Sequence, residues 1–534
     1  MQERISSPPA KVLGDLWRRI PNNLKLTFFA TFVAGVLVHG YMFANFLLNH
    51  DGMSYFLPMA AGDTLHTLTS GRWFQDTALA LSGAIPMPWV IGLLSVFYLA
   101  ITAAIIVACL ELKRPLYSVL VGLLLVSFPA TGVVFAYIQV ADSIFLSVLL
   151  ACFAPLLCKK FRFGVIFGAL ALALSLGIVQ TYITMTAGLF IIMLILDILS
   201  KQESIKTLLL RGVKYISCLI LGLAIYFVVL QYMLTTRGVT LTPYQGIDQM
   251  GQMPLYQYLE LIGISYQEFF AFFTQPPYGY LTDRFSLIPT LIFILIPVML
   301  VLLVINHCRT KHSIPHLVLL GVLVALLPLA VNAIYIMGAT FIYLMLLYAL
   351  VLVFVLVVAL LERLDISLQN MQSSVKKYVG VFVCWVSLAV LVFIPYDYFV
   401  VLNGNYLQTD LATRQTAHIS STLIQRVRAF PGYEDGMPVV LVGRHTAGSE
   451  NVISQLHQHS PIFGFPTTNG LINWHSYHQF FEIFLGESIN LHFLQDHGIR
   501  EAHYEALSAL TIFPADGSMM IADGMLFIRV GAEF

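Results

Sequence analysis

Blocks of apolar residues about one membrane thickness long alternate with short polar stretches along most of this chain. A bilayer core of about 30 Å takes about 20 apolar residues in a helix. Runs of that kind predict eleven spanning helices, at 26–48, 88–110, 116–134, 142–157, 163–178, 181–198, 213–235, 286–305, 317–335, 340–361 and 379–401. The fourth and fifth are short for a full span, and Pro155 predicts a kink in the fourth. The expected fold class is a polytopic α-helical membrane protein with about eleven transmembrane helices.

Beyond residue 402 the pattern changes. VVLVG (439–443) and MLFIRV (525–530) read as short buried strands, and LINWHSYHQFFEIFLG (471–486) has helical spacing of its apolar positions. A small α/β domain is expected there. Between the seventh and eighth spans, PLYQYLELIGISYQEFFAFF (254–273) is amphipathic and suits a helix lying at the membrane interface.

Lys and Arg, which are retained on the cytoplasmic side, test this segmentation. The N-terminal arm and alternate loops carry 19 of them, whereas the opposite loops carry only Arg72, Arg237 and Arg284. The contrast predicts a cytoplasmic N-terminus and, after an odd number of spans, an extracytoplasmic C-terminus. The chain divides accordingly into an arm (1–25), a transmembrane domain (26–401, with outer loops 49–87 and 236–285) and an outer domain (402–534).

Composition agrees: 58% of residues are hydrophobic, 10% are charged and mean hydropathy is +0.82, against about 25% charged in soluble domains. The 28 basic and 28 acidic residues cancel, which points to no nucleic acid and no polyanion as partner. The six cysteines lie in apolar runs or basic loops, without CxxC or a Cys/His cluster. No metal centre or disulfide is expected, nor a cleaved signal peptide, because the first 25 residues lack a short apolar core before a cleavage site.

The candidate chemistry lies in the first outer loop, Asn49 to Trp89, which is too polar to cross a bilayer. Asp51 stands just beyond the first span in NHDG. At the mouth of a membrane cavity its carboxylate suits a general base for an acceptor hydroxyl; an ordinary solvated loop acid is the plain alternative. Asp63 follows twelve residues on, then SGRWF (70–74), where Arg72 offers a planar bidentate donor for a lipid phosphate or simply snorkels at the interface. Trp73 fits sugar stacking or an interfacial tryptophan. Arg284, close to the eighth span, and Arg237 are alternative phosphate ligands. In FAYIQVAD (135–142), Tyr137, Gln139 and Asp142 face the same side, as do Gln180 and Tyr182 in VQTYI; these side chains either line a sugar site or cap helix ends, a role that suits Asp142. His39, inside the first span, reads as a packed interface residue.

The order of basic arm, first span, polar loop with N-x-D and then S-G-R-W, many spans and a small outward C-terminal domain resembles the type II glucosyltransferases that decorate bacterial O-antigens and related surface polysaccharides. These belong to the GT-C class. The resemblance implies a polyprenyl-phosphate-linked sugar donor, a polysaccharide or lipid-linked glycan acceptor, inverting transfer and residence in the bacterial cytoplasmic membrane among its lipids. A flippase and a donor-synthesising glycosyltransferase would act upstream. It assigns Asp51 as base and Asp63 as its companion, and Arg72 and Trp73 match its GRW signature; Asn49, Trp73 and the two polar turns are candidates for sugar binding or for lining the cavity. No cofactor is expected, and metal dependence stays open, although acids twelve residues apart argue against a shared divalent ion. Two other classes compete. A transporter or flippase of lipid-linked saccharides predicts charges near span centres, which are nearly absent, and a non-catalytic assembly partner would tolerate loss of Asp51. An oligosaccharide polymerase or ligase would share the outward polar loops.

Overall fold

The structure, a computed structural model, describes residues 8–54, 64–83, 85–200, 203–243, 254–275, 288–307, 314–337, 342–369, 375–443, 464–465, 471–472, 476–493 and 500–532. Among them, eight helices are long and apolar enough to cross a membrane: Asn22–Ala44, Pro88–Leu110, Ile138–Lys160, Gln180–Ser200, Ile205–Arg237, Ile314–Val331, Leu344–Gln369 and Val375–Arg428. A ninth span arises if the bent pair Pro115–Ser127 and Pro129–Ala136 is counted as one. Shorter apolar helices, Gly164–Leu176 and Pro289–Ile305, lie where the fifth and eighth spans are predicted. This is a membrane protein.

The bundle is graded from centre to rim. Leu344–Gln369 is the axis, 94% buried in its apolar window, whereas Ile205–Arg237 is only 28% buried and turns Ile216, Ile220, Phe227 and Val228 outward. Apolar side chains so exposed imply a lipid surround. Mean hydropathy follows the same order, 3.2 for the axis against 2.3 for the rim helix, but both values lie well within the range of a spanning helix and do not by themselves say which one is central.

Proline places a sharp bend in the third predicted span. Pro129 has no N–H to continue the preceding helix, and the axis turns by 41°. The carbonyl of Leu125 is served instead by the Thr131 hydroxyl at 2.8 Å and the Tyr348 hydroxyl at 2.9 Å. Such replacement donors make a broken helix tolerable away from water. The bend delivers residues 137–142 to the end of the bundle where the first outer loop begins.

At the opposite end, the basic loops close on helix ends. Lys159 Nζ donates to the Cys109 carbonyl and Lys214 Nζ to that of Cys158, both at 2.5 Å, and Arg363 reaches the Leu110 carbonyl at 2.9 Å. Buried Glu362 accepts from the backbone N–H groups of Lys113 and Arg114 at 2.8 and 2.6 Å. Arg114 and Tyr117 meet Asp365, and Arg211 pairs with Asp197 and Glu203.

The final apolar helix does not stop at 401. It continues to Arg428, so position 402 lies in mid-helix, and the added turns form a stalk. The stalk is fastened to the first span: Asn403 donates to the Val38 carbonyl at 3.1 Å, His39 Nδ1 meets the Tyr406 hydroxyl at 2.6 Å, and Tyr41 donates to Asp410 at 2.7 Å. His39 Nε2 also reaches the Val126 carbonyl at 2.8 Å. A carbonyl accepts only, so Nε2 carries the proton and Nδ1 accepts from tyrosine. His39 is thus a fully engaged packing residue.

After the stalk comes a four-stranded sheet in the order β2-β1-β4-β3, with β1 Val439–Val442, β2 Leu491–Phe493, β3 Met519–Ala522 and β4 Met525–Arg529. β1 runs parallel to β2 and β4, and β3 and β4 form an antiparallel hairpin. Asp523-Gly524, both at positive φ, supplies its two-residue turn. The two strands legible in the sequence are the buried central pair. The edge strand β2, Leu491–Phe493, is three residues long and interrupted by His492, while β3 is apolar but only half-buried, unlike the fully buried β1. In the region expected to be helical, Tyr477–Phe480 is a single turn leading into a π-helical turn, Phe481–Leu485.

Candidate active site

The first outer loop begins under constraint. Asn45 Nδ2 closes the span end by donating to the Tyr41 carbonyl at 2.7 Å. Phe46 then adopts a left-handed φ of 45°, a conformation costing a non-glycine residue about 1–2 kcal/mol. Packing holds it there: its ring centroid lies 5.6 Å from that of Phe484, while Leu47 and Leu48 are fully buried. The chain next forms a one-turn helix, His50–Ser54. Met53 points into the core, whereas the Asp51 side chain is 49% exposed, with His50 Nε2 at 3.5 Å.

Asn49 is placed by its own turn. Its Oδ1 accepts from the Gly52 N–H at 2.8 Å, leaving Nδ2 buried and without a partner among the described residues. Gln139 arrives from the turn after the broken span, where a Cβ on Gly52 would lie 3.0 Å from its Oε1. That oxygen also lacks a partner among the described residues. Three residues on, Asp142 lies in the first turn of its helix, whose cap is Val140. Its Oδ1 accepts from the Ser143 N–H at 2.8 Å, its Oδ2 is buried and unpartnered among the described residues, and Ser82 stands beside it. Buried polar atoms without partners are uncommon and costly, and here a donor and an acceptor unpartnered among the described residues flank Gly52, next to Asp51.

The C-terminal segment covers this group. Helix Tyr477–Phe480 packs on helix His50–Ser54, and a Cβ on Gly464 would lie 2.9 Å from the Tyr137 ring.

A second group forms where SGRW meets VQTYI. Gly71 has φ 78°, and a Cβ there would fall 2.6 Å from Gln180 Nε2 and 2.7 Å from the Tyr226 hydroxyl, so both conformation and space require glycine. Gln180 donates to the Ser70 carbonyl and to the Tyr226 hydroxyl, both at 3.1 Å, and Tyr226 donates to the Gly71 carbonyl at 3.0 Å. The Phe74 N–H reaches the Gly177 carbonyl at 2.7 Å, and the Trp73 ring fills the space a Cβ on Gly177 would occupy, 2.7 Å away. Trp73 is therefore a wedge between helices on this face. Arg72 lies within electrostatic range of the Tyr182 and Tyr226 hydroxyls. Tyr182 itself points inward, 1% exposed, and donates to the Met345 carbonyl at 3.1 Å.

The residues singled out by sequence thus assemble as two neighbouring groups, Asn49, Asp51, Tyr137, Gln139 and Asp142 in one, Arg72, Trp73, Gln180 and Tyr182 in the other. The loop segment from Gln75 to Ser82 joins them, packing on the helix that carries Asp142. Arg237 is exposed at the end of its helix, before the left-handed cap Gly238. Asp63 and Arg284 lie outside the described residues. Sequence reading does not single out His50, Gly52, Gly177 or Tyr226. Tyr226 is one hydroxyl in an apolar run, and the glycines matter only through the side chain each one faces.

Asp76, near the centre of the loop, accepts from the Thr67 hydroxyl at 2.9 Å. Partial burial raises its carboxyl above the ordinary value, an effect that the hydroxyl opposes. Among the described residues no three of His, Cys, Asp and Glu converge as a metal site.

A family model described as glucosyl transferase GtrII matches residues 40–358, more than half of the chain. The chain belongs to this glucosyltransferase family. No curated protein and no solved structure matches it. In this GtrII-family membrane glycosyltransferase, the matched region contains the first loop and both polar turns, while the C-terminal sheet lies beyond it.

Proposed function

We propose that this protein transfers a sugar, glucose by family, from a polyprenyl-phosphate donor to an O-antigen-like surface polysaccharide at the outer face of the bacterial cytoplasmic membrane, with inversion. In this reading the N-terminus is cytoplasmic, eleven spans cross the bilayer, and the segment after the stalk is an extracytoplasmic α/β domain. The observation that carries it is the group around Gly52: a half-exposed carboxylate, Asp51, beside Asn49 Nδ2 and Gln139 Oε1, both without a hydrogen-bond partner among the described residues. A donor and an acceptor at one place suit sugar hydroxyls, each of which both gives and takes a hydrogen bond.

The chemistry follows from that arrangement. An acceptor hydroxyl attacks the anomeric carbon while Asp51 takes its proton; the bond to the donor phosphate breaks, and the phosphate leaves on its lipid with the electron pair. Attack opposite the leaving group inverts the centre. Arg72 stabilises the departing charge, with Arg284 as the alternative. A donor already linked to lipid fits a centre on the outer face, because nucleotide sugars are cytoplasmic. A second reading makes Asp142 the base, favoured by its buried carboxylate, which lies beside Ser82 and whose Oδ2 is not taken up by the backbone among the described residues.

Transfer of labelled sugar from polyprenyl-phosphate-glucose to surface polysaccharide in membranes tests both. Full activity in Asp51→Asn with loss in Asp142→Asn would transfer the role to Asp142; full activity in both would remove the mechanism. A cysteine replacing Gly448 in a cysteine-free background should react with an impermeant thiol reagent added outside intact cells.

A further inference from the structure

Helix Pro9–Arg19 precedes the first span and has no buried residue. Its apolar side chains recur at i, i+3 and i+4, with Leu13 65%, Leu16 47% and Trp17 47% exposed. Lys11, Asp15 and Arg18 lie on the other side, and Arg19 flanks them. Three cations against one anion give this short helix a net positive charge.

We infer that this helix is an interfacial anchor, laid flat in the headgroup layer with Leu13, Leu16 and Trp17 toward the acyl chains and its basic residues on anionic phospholipid. Eleven residues extend about 16 Å, half of a bilayer core, so the helix does not span. A helix so short is marginal in water, and an apolar face left in water adds nothing to hold it. The occupant of that face is indicated by its position. The backbone is extended at Ile20 and Pro21, and the first span starts at Asn22. Trp17 meets Phe29 of that span with ring centroids 6.0 Å apart, and Lys25 stands 4.8 Å over the Trp17 ring. Phe29 is itself 52% exposed and, with Val33 and Leu37, forms the outward face of the span. The apolar face of the short helix is therefore continuous with a lipid-facing surface. Tryptophan and basic residues at such a level are placed as interfacial and headgroup contacts.

Amide hydrogen exchange on the full-length protein tests this in two nanodiscs, one of phosphatidylcholine alone and one with added phosphatidylglycerol. Amides of residues 10–19 should exchange several-fold more slowly in the anionic bilayer. Arg18→Glu with Arg19→Glu should abolish that difference while exchange in Leu344–Gln369 is unchanged, and Leu13→Asp should expose the segment in both lipids. Rapid exchange in both bilayers would overturn the anchor. Equal protection in both would overturn the recognition of anionic lipid, as would protection that survives the charge reversal.

Discussion

The two ends of the helical bundle are both polar, yet they treat polarity in opposite ways. At the basic end, charged groups are consumed by the fold: Lys159, Lys214 and Arg363 terminate helices, and Glu362 binds two backbone N–H groups. At the loop end, hydrogen bonds from Gln180, Tyr226 and Phe74 fix the backbone, while Asn49, Gln139 and Asp142 keep buried atoms unengaged among the described residues. The difference separates a structural closure from a place prepared for a ligand. Charge density alone would have selected the wrong end.

Substitutions at the two ends should accordingly give different phenotypes. Asp51→Asn should lower transfer by about 10²–10⁴-fold with unchanged protein level, measured with labelled donor in membranes; comparable loss of folded protein would erase the distinction. Glu362→Ala at the other end should cost about 3–5 kcal/mol, because two backbone donors lose their buried partner. It should appear as reduced folded yield in detergent, with transfer per folded molecule retained.

Smaller perturbations sharpen the same contrast. Gly177→Ala pushes a methyl into the Trp73 ring, which should cost about 1–3 kcal/mol and reduce transfer by displacing the SGRW turn. Normal transfer in that variant would detach the second group of residues from catalysis. Gln180→Ala removes two hydrogen bonds, worth about 1 kcal/mol each, and should raise proteolytic cleavage within the first loop.

The smallest effect expected is one of pH. Native Asp76 holds its proton more firmly than the unfolded chain does, so its charged form opposes folding. The penalty is fully present above the raised native value and disappears as pH falls to the ordinary carboxylate range. Asp76→Asn should flatten the unfolding profile of the loop between that range and neutrality without loss of stability at neutral pH. A profile as steep as that of the parent protein would assign the dependence to another group.

Much of this arrangement is legible in order along the chain. The long helices lie where the apolar runs predict them, since about 20 apolar residues have few other stable arrangements. Gln139 and Gln180 stand out as polar residues at span ends, and the structure brings each onto the first loop, at Gly52 and at Ser70. The stalk is not legible, because beyond 401 the helix loses its continuous apolar signal yet is held by hydrogen bonds to the first span. The helix expected at 471–486 is, among the described residues, one α turn at Tyr477–Phe480 continued by a π turn, Phe481–Leu485, and its apolar positions pack against the first loop.

By itself the sequence determined that the chain is a membrane protein, roughly where its long apolar helices run, and which family it belongs to, because apolar length and the loop motif are local properties. Tertiary structure decided which polar residues were left with something to bind. That outcome depends on whether the Gly52, Gly71 and Gly177 backbones come close enough for distant side chains to seat against them. Close approach is a property of two segments at once, and the order of residues along one of them does not contain it.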